Sequence, residues 1–131
     1  MFNSIPAALI ARYRAGAFFT DARTAYPNAA FTKPGTSIAW AAVFAIPAQT
    51  EILSMTDTDE MAGVFQIDIN YPQNTGAGST QAMADSIRAW FKRGTVLDGV
   101  HLGAVSVTPG AVVDGWYRVS VSVLYRAFVA V

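Results

Sequence analysis

The chain has no cysteine, which excludes disulfides, thiolate metal sites and cysteine nucleophiles together. Charge is scarce: Asp, Glu, Lys and Arg make up 14% of the 131 residues, against about 25% in an average soluble protein. Nine basic residues balance nine acidic ones, so there is no net field to attract a polyanion. Histidine occurs once, at His101. Long hydrophobic runs are missing too. The longest apolar stretch, Ile38 to Pro47, falls short of the about 20 residues that a helix needs to span a bilayer. Met1-Phe2-Asn3-Ser4 lacks the basic start and apolar core of a signal peptide. These absences predict a soluble protein made in the cytoplasm, with no membrane contact. No internal repeat, low-complexity segment or linker divides the chain, so residues 1–131 are expected to form a single domain.

What the sequence does have is apolar surface to hide. Hydrophobic residues make up 53% of it. A small domain has a high ratio of surface to volume and normally needs more charge than this to stay in solution. Interface cores are depleted in charge and enriched in aromatics, so self-association is the simplest explanation.

The pattern along the chain predicts six elements. Ser4 and Pro6 suit the start of a helix, and Ile5, Ala8, Leu9 and Tyr13 keep helical spacing as far as Gly16. Residues 20–36 read as a connection with turn chemistry at Pro27, Asn28, Pro34 and Gly35. Ile38 to Ile46 reads as a strand with two apolar faces. Ile38, Trp40, Ala42, Phe44 and Ile46 lie on one; Ala39, Ala41, Val43 and Ala45 lie on the other. One face should pack on a helix, and the other on a small-residue contact within the domain or on a neighbouring subunit. Residues 48–62 read as a polar loop. In Val64 to Tyr71, apolar Phe65, Ile67, Ile69 and Tyr71 alternate with Gln66, Asp68 and Asn70, a strand with one wet face. Ser79 or Thr80 can cap a second helix, which runs to about Arg93 on the stripe Met83, Ile87, Trp90 and Phe91. Gly94 suits its left-handed stop. Val100 to Thr108 and Trp116 to Ala130 read as the last two strands. The order α-β-β-α-β-β predicts an α+β fold, an antiparallel sheet with two helices packed on one face.

Each candidate for chemistry fails on named residues. His101 sits among apolar residues and glycine, with no serine or acid at a spacing that would assemble a triad. A hydrolytic or ligand-binding domain would need a pocket with convergent polar groups around His101 and Asp98. Asp57-Thr58-Asp59-Glu60 begins like a calcium loop. It then places Met61 where an oxygen ligand should stand, Ala62 where glycine is required, and no closing glutamate. Gly76-Ala77-Gly78 precedes a helix without completing either nucleotide fingerprint. No enzyme activity, cofactor or metal is expected.

The elements nevertheless follow a recognisable order. After the first helix and the strand ending at Pro47 come Gly63-Val64-Phe65-Gln66-Ile67-Asp68-Ile69, Tyr71-Pro72 and Gly76-Ala77-Gly78. Ala84-Asp85-Ser86-Ile87, Trp90-Phe91, Gly94, Asp114-Gly115-Trp116-Tyr117-Arg118 and Val123-Leu124-Tyr125-Arg126 complete it. Over nearly the whole chain this resembles the tail-terminator proteins of long-tailed phages, of the lambda type. The resemblance implies a structural virion protein at the head-proximal end of the tail, forming a homo-oligomer, a hexameric ring. Such a ring stops tail-tube polymerisation and offers a joining surface to the head-side connector or stopper protein. Genomic DNA passes through its lumen without sequence-specific binding. By the same analogy Glu51, Ile52, Leu53, Asp57, Asp59 and Glu60 are assigned to a loop contacting the tail-tube protein. Ala39, Ala41, Val43, Arg118 and Arg126 are assigned to the contact between subunits. Another neck or connector protein would share the compositional signals.

Overall fold

The computed structural model describes residues 4–35, 37–47, 51–52, 58–74 and 76–130. Helix α1 (Ser4–Gly16) is followed by a 3-10 turn (Asp21–Arg23) and strands β1 (Thr24–Ala25), β2 (Trp40–Pro47), β3 (Glu51–Ile52) and β4 (Thr58–Pro72). Helix α2 (Gly78–Trp90) then leads into β5 (Val96–Leu97), β6 (Val100–Val107), β7 (Ala111–Val113) and β8 (Trp116–Ala130). The strands pair into one sheet in the order β1-β2-β4-β8-β6-β5, with β3 paired to β4 and β7 to β8.

The α+β class holds, with two corrections. The sheet is mixed, because β1 runs parallel to β2, Thr24 opposite Ala41. Strands of two or three residues extend it beyond the four expected, since short segments acquire strand geometry from a neighbour's ladder and carry no periodicity of their own. The long strands do follow their alternation. β4 and β8 stay in antiparallel register over fifteen pairs, from Thr58 opposite Ala130 to Pro72 opposite Trp116. β4 therefore begins well before Val64, and Thr58–Ala62 is strand and not loop.

The alternation sends both side chains of every second pair into the core. Phe65, Ile67 and Ile69 of β4 and Val119, Val121 and Val123 of β8 have no accessible surface. Ile5, Leu9 and Tyr13 of α1 and Ala84 and Ile87 of α2, with Phe91 just beyond it, cover that face. The Phe91 ring packs on Phe65 with centroids 5.7 Å apart. The N-cap of α2 is Ala77, without a side-chain cap bond, so Ser79 and Thr80 lie inside the first turn. The helix stops at Trp90, short of Gly94, which does take a left-handed φ of 91°.

A reciprocal clasp locks the two helices together. Trp90 Nε1 donates to the Arg12 carbonyl at 2.7 Å, and Arg12 Nη2 donates to the Trp90 carbonyl at 2.8 Å. The Arg12 guanidinium carbon also lies 3.8 Å from the indole centroid, a cation–π contact in addition to the two hydrogen bonds. At the far end of the sheet a glycine is required. A Cβ on Gly63 would collide with the Ile46 carbonyl and meet the Tyr125 hydroxyl at 2.6 Å.

Candidate assembly surface

Both helices pack on one face of the sheet, which leaves the other uncovered. Cross-strand rows describe it. Trp40, Asn70 and Arg118 share one row; Ala42, Asp68 and Ser120 the next; Phe44, Gln66, Ser122 and Ser106 the third. Ile46, Val64 and Leu124 form a fourth row, and Ala62, Arg126 and His101 a fifth, with Glu60 opposite Phe128 at the end.

The first two rows are closed. Trp40 and Trp116 meet edge to face at 5.9 Å, and Phe31 lies against Trp40 at 5.3 Å, so the segment around Phe31 caps this end. Next to them a polar network is completed within the chain. Asp68 Oδ1 accepts hydrogen bonds from Ser120 Oγ at 2.6 Å and Gln66 Nε2 at 2.8 Å, and Arg118 Nε donates to Asn70 Oδ1 at 2.7 Å. These bonds satisfy polar groups that are half-buried or buried, as such groups require.

The remaining rows are open, and large apolar side chains stand among their polar residues. Phe44 is 43% exposed, Ile46 48%, Leu124 49% and Phe128 50%. Beside them lies a groove of about 620 Å³ whose lining includes Val64, Leu124, Gly103, Arg93, His101 and Arg126. His101 is exposed, and its ring packs edge-on against Phe128 at 5.7 Å. Asp98 does not line this groove; it occupies the exposed β5–β6 turn with φ 51°. The pairing of His101 with Asp98 that a catalytic or ligand site would need is therefore not made. Gly76, ahead of α2, takes a left-handed φ of 83°. No cluster of three or more metal-ligating side chains occurs among the described residues, and no helix there is long and apolar enough to cross a membrane.

The residues assigned to assembly fall in different places. Ala39, Ala41 and Val43 belong to the helix-covered core, Ala41 with no accessible surface and Val43 with 1%. Side chains buried in their own domain have no surface to offer a second subunit, so those three are corrected to core residues. The open residues of the same strand are Phe44 and Ile46. Arg118 and Arg126 do lie on the uncovered face. Arg118 is half-buried and held by Asn70, while Arg126 is exposed and 3.8 Å from Glu60. In the expected tube-contact loop, Glu51 and Ile52 pair with Glu60 and Asp59 as strand. Leu53 and Asp57 lie outside the described residues. Leu124 and Phe128 were missed in the sequence, although the β8 alternation that buries Val123 and Tyr125 already sets both on the opposite face.

Comparison with known proteins agrees with this architecture. No curated protein sequence matches the chain. One solved structure, 22% identical, superposes with a TM-score of 0.74 over 97% of this chain and 95% of its own. Likeness at that identity shows a shared fold. The sequence model of one family matches residues 4–125, from the first residue of α1 to Tyr125 of β8. The chain belongs to the phage tail terminator protein family.

Proposed function

We propose that the protein is a structural subunit that closes into a homo-oligomeric ring, a hexamer, at the head-proximal end of a siphovirus tail. There it ends tail-tube polymerisation and presents the surface to which the head-side connector or stopper protein joins. Its role is assembly and not catalysis. The observation that carries this reading is the open half of the sheet, where Phe44, Ile46, Leu124 and Phe128 stand together in solvent. A contiguous apolar patch of this kind on a small soluble protein marks an interaction surface. Arg126, Arg93 and His101 line the groove at Leu124 and add polar groups of the kind that border protein interfaces. We assign the tail tube to this face, with the β3–β4 arm around Glu51, Asp59 and Glu60 at its margin. DNA passes through the lumen unread, and the balance of nine basic and nine acidic residues leaves no net positive charge to retain its phosphates.

Deletion of the gene tests the function. Tails of uncontrolled length, or finished tails that fail to join heads, are expected by electron microscopy of lysates, with rescue when the wild-type gene is supplied. Tails of normal length joined to heads in the deletion strain would refute it.

A further inference from the structure

Among the described residues the sheet ends in two strands whose outer edges are only partly paired. β2 pairs with β4 on one side; on its other side β1 reaches only Ala41 and Ala42. Val43–Pro47 is thus paired on one side among the described residues. At the opposite end, β5 covers β6 only at Val100 and His101. The last outward bonds of β6 are made by Leu102, whose carbonyl accepts from Gly94 N and whose amide donates to Thr95 O, each at 2.9 Å. Beyond it the register shifts at a bulge across Gly103 and Ala104, and Val105–Val107 is paired to β8 alone among the described residues. Natural proteins blunt such edges with charge, above all lysine. Here no charged residue occurs from Pro34 to Thr50 or from Leu102 to Val113. Both edges carry the apolar composition of strands that are to be covered.

Charge separates along the same axis. No basic residue occurs between Lys33 and Arg88, whereas Glu51, Asp57, Asp59, Glu60 and Asp68 do. Because β8 occupies one side of β4 along its length, β3 lies on the β2 side, bringing the backbone of Glu51 and Asp59 there. At the other end, Arg88, Lys92 and Arg93 flank Ala104 and Val105 of β6, with Asp85 as the one acid among them. The backbone of two acidic residues thus lies on the β2 side of the sheet, and three basic side chains lie beside β6.

We propose that copies of this chain join edge to edge, β2 (Val43–Pro47) of one subunit adding to β6 (Val105–Val107) of the next. This rests on the ring reading above and specifies its contact. The two partners are different surfaces of the same chain, so the contact is heterologous and repeats around a ring until it closes. The two sets of charges attract in that arrangement and repel in β2-to-β2 or β6-to-β6 pairing, which sets the direction. Main-chain hydrogen bonds supply affinity, as in strand addition generally. The open apolar face then runs on from subunit to subunit, free to meet the tube.

Two edge-blocking variants test this, Phe44→Lys on β2 and Ser106→Lys on β6, both at exposed positions. Assembly is followed by sedimentation with and without purified tail tubes as template, and folding by thermal melting. Wild type is expected to form rings. Each variant alone is expected to remain monomeric, because every contact needs one edge of each kind. An equimolar mixture should give a one-to-one heterodimer and nothing larger. Reversing Arg88, Lys92 and Arg93 to Glu, all exposed, should weaken assembly about tenfold or more at low salt and much less at high salt. It gives a second readout should a lysine variant fold poorly. Wild-type rings together with rings of Ser106→Lys would overturn edge pairing while leaving the ring intact. Loss of assembly in Leu124→Lys, which lies on an interior strand, with Ser106→Lys assembling normally would move the contact to the face. Wild type that stays monomeric even on tubes would remove both readings.

Discussion

Val123 and Leu124 are neighbours on β8, yet Val123 has no accessible surface and Leu124 keeps 49% of its own. The same contrast separates Ala41 and Val43 from Phe44 and Ile46 on β2. One face of the sheet is filled by two helices that clasp through Arg12 and Trp90; the other is capped at its tryptophan end and bare at its Glu60 end. Alternation with a period of two lets one strand serve both faces independently. The covered face determines whether the chain folds. The bare face is free to be chosen for what it touches, and substitutions should separate the two.

The largest effect is expected where the covered face is densest. Phe65→Ala removes a ring with no accessible surface that packs on Phe91, and should cost about 3–5 kcal/mol by urea denaturation. That is a large part of the about 5–15 kcal/mol that holds a typical domain together. A loss below about 1 kcal/mol would show that the helices do not pack on the sheet as described. Gly63→Val comes next. Its Cβ would meet the Ile46 carbonyl and the Tyr125 hydroxyl, and crowding of this kind costs about 1–3 kcal/mol. Gly63→Ala should show most of the penalty, because the collision begins at Cβ.

Alkaline titration probes the covered face without mutation. Burial raises the Tyr13 and Tyr125 hydroxyls above the usual tyrosine range, Tyr13 most strongly, although its hydrogen bond with Thr24 acts the other way. A raised folded-state value means that the folded protein holds its proton where the unfolded chain releases it. Stability should therefore be constant up to the unfolded value of about 10. Above it, stability should fall with pH by up to about 1.4 kcal/mol per unit for a single strongly shifted tyrosine. Tyr13→Phe should flatten that slope in stability measured against pH; an unchanged slope would place the sensitivity elsewhere.

What could be read from the sequence was what has a period. Both helices and β8, found over Trp116–Ala130, follow their apolar spacing, and so do the buried Ile5, Leu9, Tyr13, Ile87 and Phe91. β2 could not be oriented, because both of its faces are apolar; the covered one was fixed only by where the helices pack. Thr58–Ala62 was hidden for a different reason. Asp59 and Glu60 are poor strand formers, and only pairing with β3 and β8 makes them strand. The clasp joins residues 78 positions apart, a separation at which spacing carries no information.

The smallest change in stability should accompany the sharpest loss of function. Leu124→Ser alters a side chain that is already half in solvent, so unfolding should shift by no more than about 0.5 kcal/mol. Val123→Ser, one residue away, buries an unmatched hydroxyl and opens a void, and should cost about 2–4 kcal/mol. In complementation of a deletion strain the ranking should invert. Leu124→Ser, well folded, should leave tails that are too long or unjoined, because the apolar contact with the tube is weakened. Equal stability losses in the two variants would erase the distinction between the faces. Full complementation by Leu124→Ser, with its fold intact, would show that the tube does not use this part of the sheet.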